Sequence, residues 1–328
     1  MTAQSAGRAL DPAVEQILAR VGPFLHADLE GLPPEQALAL ARPVMPVAPP
    51  PAESRDLVIP GPEGSSLPLR LYGVADEAGA RPALLYLHGG GFVAGTIGMD
   101  DRRCAQLARD TGCIVASLEY RLAPEFPFPA AIEDTCAAWA HLHDHAQALG
   151  IDAERCGVSG SSAGGHLATG LCLTARSRGL PEARFLILTN PALDPGLSTP
   201  SYTEFAQGPF LTKARMAWYW KQYAGAKAGT PMGAGTGAGT GAESTWNPMQ
   251  GDLSAFPPSL VITAELDVLR DEGEAFARRL AAAGVDVVTD RRPGMIHGFI
   301  SVLPDHAETQ AAMQAMASFM KKHAQGVP

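Results

Sequence analysis

The chain has 328 residues, 46% of them apolar, with 25 Lys and Arg against 34 Asp and Glu, a formal charge of −9. This length buries a core without disulfides or metal, and the acidic balance excludes a sequence-independent grip on nucleic-acid phosphates. It likewise argues against an anionic membrane surface. Five cysteines (Cys104, Cys113, Cys136, Cys156, Cys172) lie scattered in apolar stretches with no C-x-x-C pair, and read as reduced core residues of a cytoplasmic protein. No basic-then-apolar leader opens the chain, and no run approaches the ~18 apolar residues of a membrane span. The 35 glycines and 28 prolines exceed average usage, so the chain needs many turns.

Asp11-Pro12 opens a helix, with a capping carboxylate, proline at the first helical position, and Val14, Ile17, Leu18 and Val21 at helical spacing. A second helical segment, Gln36 to Ala41, runs into a proline-dense stretch, Pro43 to Pro51, that reads as a stiff linker. Residues 1–50 therefore read as a helical appendage and residues 51–328 as the main domain. Leu57 to Ile59 and Leu67 to Tyr72 are two opening strands. Buried-looking runs follow at Ala83 to Leu87, Ile114 to Leu118, Cys156 to Val158, Phe185 to Leu188, Leu260 to Thr263 and Val285 to Thr289. Helical segments at Arg102 to Asp110, Ala130 to His145, Gly165 to Arg176 and Asp271 to Ala283 separate most of them. This rhythm predicts an α/β fold with a mostly parallel sheet of about eight strands, helices on both faces, and a site at the carboxyl ends of the strands. Two stretches break the rhythm. Residues at about 200–225 are dense in large apolar groups and read as a helical addition roofing a pocket, with Phe210 and Trp218 as lining. The Gly-Ala-Gly-Thr repeats at about 226–245 read as a flexible surface loop without function.

Gly160-Ser161-Ser162-Ala163-Gly164 follows a predicted strand and opens a predicted helix. A G-x-S-x-G in that setting is a nucleophile elbow: glycines permit the tight turn and leave Ser162 Oγ at the top of the sheet. His88-Gly89-Gly90-Gly91 follows another strand, where consecutive glycines turn backbone N–H groups toward a developing oxyanion. A serine needs a base to take its proton and an acid to orient that base, in the chain order Ser, Asp, His for such a fold. Asp267 and His297 each lie just past a strand and fill those roles, with Glu265 and Asp271 as rivals for the acid. His141, His143 and His145 lack the carboxylate or thiolate spacing of a metal site and read as a solvated face.

His88-Gly-Gly-Gly-Phe92, Tyr120-Arg-Leu-Ala-Pro-Glu125, Ser162-Ala-Gly-Gly165, Asp267-Val-Leu-Arg-Asp-Glu-Gly273 and His297-Gly-Phe299 together resemble the bacterial hormone-sensitive-lipase-like esterases of the α/β-hydrolase superfamily. The resemblance implies Ser162 as nucleophile, His297 as base and Asp267 as its partner. It also implies an oxyanion hole from Gly89, Gly90, Gly91 and Ala163, a helical cap, a small-molecule ester as substrate, no cofactor, and a homodimer through an edge strand. Ser161 stands where the family has Asp or Thr, and Val268 where it has Pro. Three rivals remain: a serine amidase or peptidase of the same fold, a non-catalytic ligand-binding member, and a haloalkane dehalogenase. His297 speaks against the second, and Ser162 in place of an Asp nucleophile against the third.

Overall fold

The computed structural model describes residues 10–42, 49–73, 79–227 and 245–324. Most of the proline linker and of the glycine-rich loop expected from the sequence lies outside them. Two helices come first, α1 (Pro12–Leu25) and α2 (Pro34–Ala41). The Asp11 Oδ1 accepts the Ala13 N–H at 2.8 Å, capping the first of them. Then follow β1 (Ser54–Pro60), β2 (Ser66–Tyr72), β3 (Arg81–Leu87), α3 (Asp101–Thr111), β4 (Ile114–Leu118), α4 (Ala130–Asp144), α5 (Ala146–Leu149), β5 (Ile151–Ser161) and α6 (Ala163–Thr174). The chain continues through β6 (Leu186–Thr189), α7 (Ser201–Glu204), α8 (Lys213–Ala224), β7 (Ser259–Leu266), α9 (Arg270–Ala282), β8 (Val287–Ile296), α10 (Phe299–Val302) and α11 (Ala307–Ala324).

The eight strands form one sheet in the order β1-β2-β4-β3-β5-β6-β7-β8. Only β2 runs against the rest: it pairs antiparallel with β1 and β4, and every other pairing is parallel. The period-2 alternation of a strand divides the core between two faces. In β3, Leu84 and Tyr86 enter one apolar cluster with Leu107 of α3 and Met313, Met316 and Met320 of α11. Leu85 and Leu87 enter the other, with Trp139 of α4, Leu167 of α6 and Phe276 of α9. Helices thus cover both faces, as the continuous apolar character of the central strands requires.

Differences from the sequence expectation have local causes. The stretch at about 200–225 forms two helices, α7 and α8, rather than one; Thr212 caps the second by accepting the Arg215 N–H at 3.1 Å. Strand β8 extends seven residues past Thr289, because as an edge strand it carries charged residues and a proline that hide its strand character in the sequence. Helices α10 and α11, after His297, have no counterpart in the expected pattern.

A buried polar network lies on the α3/α11 face. Asp100 and Arg103 are 3.4 Å apart with side chains about 5% and 4% exposed. Arg103 also donates to the Tyr86 hydroxyl and, at 2.7 Å, to the Ser301 hydroxyl of α10. Ser301 in turn donates to Asp100 at 3.1 Å. Removing one member of a buried ion pair strands the other in low dielectric. Arg103→Met should therefore destabilise the chain by about 3–5 kcal/mol. Urea unfolding measures this, and a loss indistinguishable from zero would show that Asp100 finds another partner.

Candidate active site

Strand β5 ends at Ser161 and α6 begins at Ala163, leaving Ser162 alone between them. Its φ and ψ, 54° and −116°, are sparsely populated by L-residues and cost of order 1–3 kcal/mol. Neighbouring backbone holds it there: the Ser162 N–H donates to Thr189 O at 2.9 Å, and Ser162 O accepts from Ala192 N at 3.1 Å and His166 N at 3.2 Å. The turn also needs close approach. A Cβ on Gly164 would fall 2.0 Å from the Leu87 carbonyl oxygen, so only glycine lets α6 start against the end of β3.

His297 follows directly on the end of β8, and Asp267 directly on the end of β7. The His297 Nε2 lies 3.0 Å from Ser162 Oγ and its Nδ1 lies 2.8 Å from Asp267 Oδ2. A carboxylate only accepts, so Nδ1 carries the hydrogen; the neutral ring then presents Nε2 as acceptor to the serine O–H. All three side chains are buried. The Asp267 Oδ1 accepts the Leu269 N–H at 3.0 Å, and Oδ2 also accepts from Asn190 Nδ2 at 3.0 Å. Asn190 was missed in the sequence. Its place just past β6, at a positive φ of 46°, is one that asparagine tolerates better than most residues. The two rival acids are engaged elsewhere. Glu265 accepts the Gly294 N–H at 2.6 Å, and Asp271 accepts the Ser201 N–H at 2.8 Å.

The second glycine motif sits beside the serine, with a Cβ on Gly89 falling 3.4 Å from Ser162 Cβ. Gly90, at φ +126°, reverses the chain so that its carbonyl accepts from both Val93 N (3.1 Å) and Ala94 N (2.9 Å). Among the described residues the N–H groups of Gly89, Gly90, Gly91 and Ala163 have no backbone acceptor. Gly89 and Ala163 thus stand beside Ser162, with Ala163 also at the positive end of α6. The Tyr120 hydroxyl donates to His88 O at 2.8 Å and its ring stacks on His88 at 4.2 Å, bracing the loop from behind. Arg121 pairs with Asp134 at 2.8 Å.

The two aromatics expected to line a pocket occupy different places. Trp218 is buried against Leu29, Ala37, Ala41, Val93 and Ala123, where the first helices meet the loop after the glycines. Phe210 is partly buried and packs against both main apolar clusters. The neighbouring Tyr219 reaches the glycine loop instead: a Cβ on Gly91 would meet its ring at 2.3 Å. Among the described residues no three His, Cys, Asp or Glu side chains gather as metal ligands, and no helix is long and apolar enough to cross a membrane. His141 and His145 stack on each other at 4.0 Å.

One turn beyond the serine, His166 is buried among Phe92, Trp220 and Tyr223, with Nδ1 3.2 Å from the Ala192 carbonyl. Burial pushes its imidazole down to about 4. The folded chain thus keeps this ring neutral while the unfolded chain protonates it below about 6.5. The resulting stability is complete above about 6.5 and drains away as pH falls toward about 4, by roughly 3 kcal/mol in all. His166→Asn should flatten this part of the pH dependence. Urea unfolding of both chains between pH 4 and 8 decides the point, and parallel curves would refute it.

A doubly covered parallel sheet with a serine, an aspartate and a histidine at the carboxyl ends of β5, β7 and β8 defines an α/β hydrolase. A family model described as alpha/beta hydrolase fold matches residues 84–301. An ethyl acetate hydrolase from Pseudomonas putida is 36% identical over 272 residues, 82% of each chain. Esterase LipI of Mycobacterium tuberculosis is 35% identical over 318 residues, 94% of each chain. Among solved structures, a hyperthermophilic esterase from the archaeon Pyrobaculum calidifontis matches with a TM-score of 0.83 at 35% identity, covering 97% of this chain and 99% of that one. The chain belongs to the hormone-sensitive-lipase-like esterases of the α/β-hydrolase superfamily, and is a serine carboxylesterase.

Proposed function

We propose that the enzyme hydrolyses short- to medium-chain acyl esters through an acyl-enzyme on Ser162, with His297 as base and Asp267 orienting it. The observation that carries this reading is the unbroken hydrogen-bond chain from Ser162 Oγ through His297 to Asp267, beside backbone donors that have no backbone acceptor among the described residues. Ser162 Oγ attacks the ester carbonyl while His297 Nε2 takes its proton. The N–H groups of the Gly89–Gly91 loop and of Ala163 hold the negative oxygen. The alcohol leaves with the proton from His297, and water repeats the two steps on the acyl-enzyme. No cofactor enters the cycle. Helices α1 and α2, together with α7 and α8, act as a cap over the site. The ethyl acetate hydrolase relative supports the short end of the acyl range. Five cysteines outside any disulfide fit a reducing cytoplasm.

A series of p-nitrophenyl esters from acetate to decanoate tests the substrate range: kcat/KM should peak at short or middle lengths, and a rise through to decanoate would overturn it. Nothing about the triad forbids amide cleavage, so matched ester and amide substrates separate the esterase from an amidase of the same fold. The ester should win.

A further inference from the structure

We infer that Arg42 is a positioning residue for the oxyanion-binding turn, so that the N-terminal helices set the geometry of the catalytic loop as well as walling the pocket. The inference rests on the role proposed above for Gly89, Gly90 and Gly91.

Arg42 directly follows α2, and its own N–H ends that helix on Leu38 O at 2.9 Å. Its guanidinium then reaches across to the main domain. The Nε donates to Val93 O at 2.6 Å, and Nη2 donates to Ala123 O at 2.8 Å. The Glu125 carboxylate accepts from Nη1 at 2.8 Å and from Nη2 at 2.6 Å. The Arg42 and Glu125 side chains are 29% and 49% exposed, so the ion pair alone contributes little stability. The two carbonyl contacts matter more: Val93 lies on the turn that carries the glycines, and Ala123 on the loop hydrogen-bonded to it. Val93 and Ala94 N–H groups close that turn on Gly90 O, and Ala123 N–H donates to Phe92 O at 2.9 Å. Residues 90–94 and 123–125 therefore form one hydrogen-bonded unit, and Arg42 grips both halves.

Packing runs the same way. The Val93 side chain sits in the cluster formed by Leu29, Ala37 and Ala41 with Trp218 of α8. The next residue of α8, Tyr219, lays its ring against Gly91. Donors to an oxyanion must stand within a few tenths of an ångström of their place, and a displacement of about 1 Å can cost roughly 10²-fold in rate. A planar fork that serves two carbonyls and a carboxylate at once suits this task, and a lysine ammonium does not.

The test compares wild type with Arg42→Met and Arg42→Lys, using a short ester and an alkyl boronic acid, which mimics the tetrahedral state. Both variants should lose about 10- to 100-fold in kcat with KM nearly unchanged, and boronate affinity should fall in step. Glu125→Gln, a mild change at an exposed position, carries the same test without risk to folding: kcat and boronate affinity should fall together, by less. Wild-type kcat in the folded variants overturns the inference. So does a loss confined to KM with boronate affinity intact, which would make Arg42 only a fastening for the pocket wall. A wild type that ignores the boronate, or a Ser162→Ala chain that still turns over, sinks the underlying oxyanion reading instead.

Discussion

Ser162→Ala is expected to lower kcat by about 10⁶-fold, the scale seen when a serine triad loses its nucleophile, and to leave the chain folded. Among the described residues, Ser162 Oγ is the group hydrogen-bonded to His297 Nε2. The backbone strain at position 162 belongs to the turn rather than to the hydroxyl, so alanine inherits it without a new clash. Steady-state hydrolysis of a short ester measures the loss, and unfolding in urea checks that stability is unchanged. An organophosphonate should label wild type stoichiometrically and leave the variant untouched. Turnover that survives in the variant would sink the acyl-enzyme mechanism.

Asp267→Asn should cost about 10⁴-fold in kcat, for a reason that lies in hydrogens rather than shape. The Asp267 Oδ1 accepts the Leu269 N–H, so an asparagine at this position keeps its carbonyl oxygen there. Its NH₂ then occupies the place of Oδ2, facing two groups that now donate to it, His297 Nδ1 and Asn190 Nδ2. The imidazole escapes by taking the other tautomer, with Nδ1 accepting and Nε2 carrying the hydrogen. In that form it cannot accept the serine proton. Asn190→Ala, which removes one of the competing donors, should leave most activity in the wild-type background, because the carboxylate keeps two other partners. If Asp267→Asn retained most of its kcat with the ring in place, the assignment of Asp267 as orienting acid would fail.

The candidate site is more legible in the sequence than the architecture around it. Ser162 and Asp267 each stand just past a buried strand that an apolar run marks, whereas His297, beyond an exposed edge strand, is placed by the chain order Ser, Asp, His. Their mutual distances then follow from the parallel sheet, which brings the carboxyl ends of β5, β7 and β8 to one side. Asn190 was missed because its role is a single side-chain bond to a residue 77 positions away, and no local pattern encodes that. Trp218 and Phe210 show the same limit from another side. A dense aromatic stretch announces burial, but which neighbours it meets depends on how α1, α2 and α8 come together. Arg42 carried no signal at all, since its partners lie 51 to 83 residues away and two of them are backbone carbonyls. Strand β8 was cut short and α11 overlooked. An edge strand with alternating exposure and a helix of alanine and methionine both lack the apolar runs that mark the centre of the sheet.

The place of β8 at the margin of the sheet has a further consequence. Ser162 sits at the end of a strand flanked on both sides, whereas His297 is carried by a strand with a neighbour only on one side. Protein margins open at lower free energy than their centres. A chain whose last strand has peeled away would still hold its serine in the strained turn, with β3, β5 and β6 intact, yet have no base to activate it. Inactivation is thus expected to precede unfolding, with ester hydrolysis lost at a lower urea concentration than secondary structure.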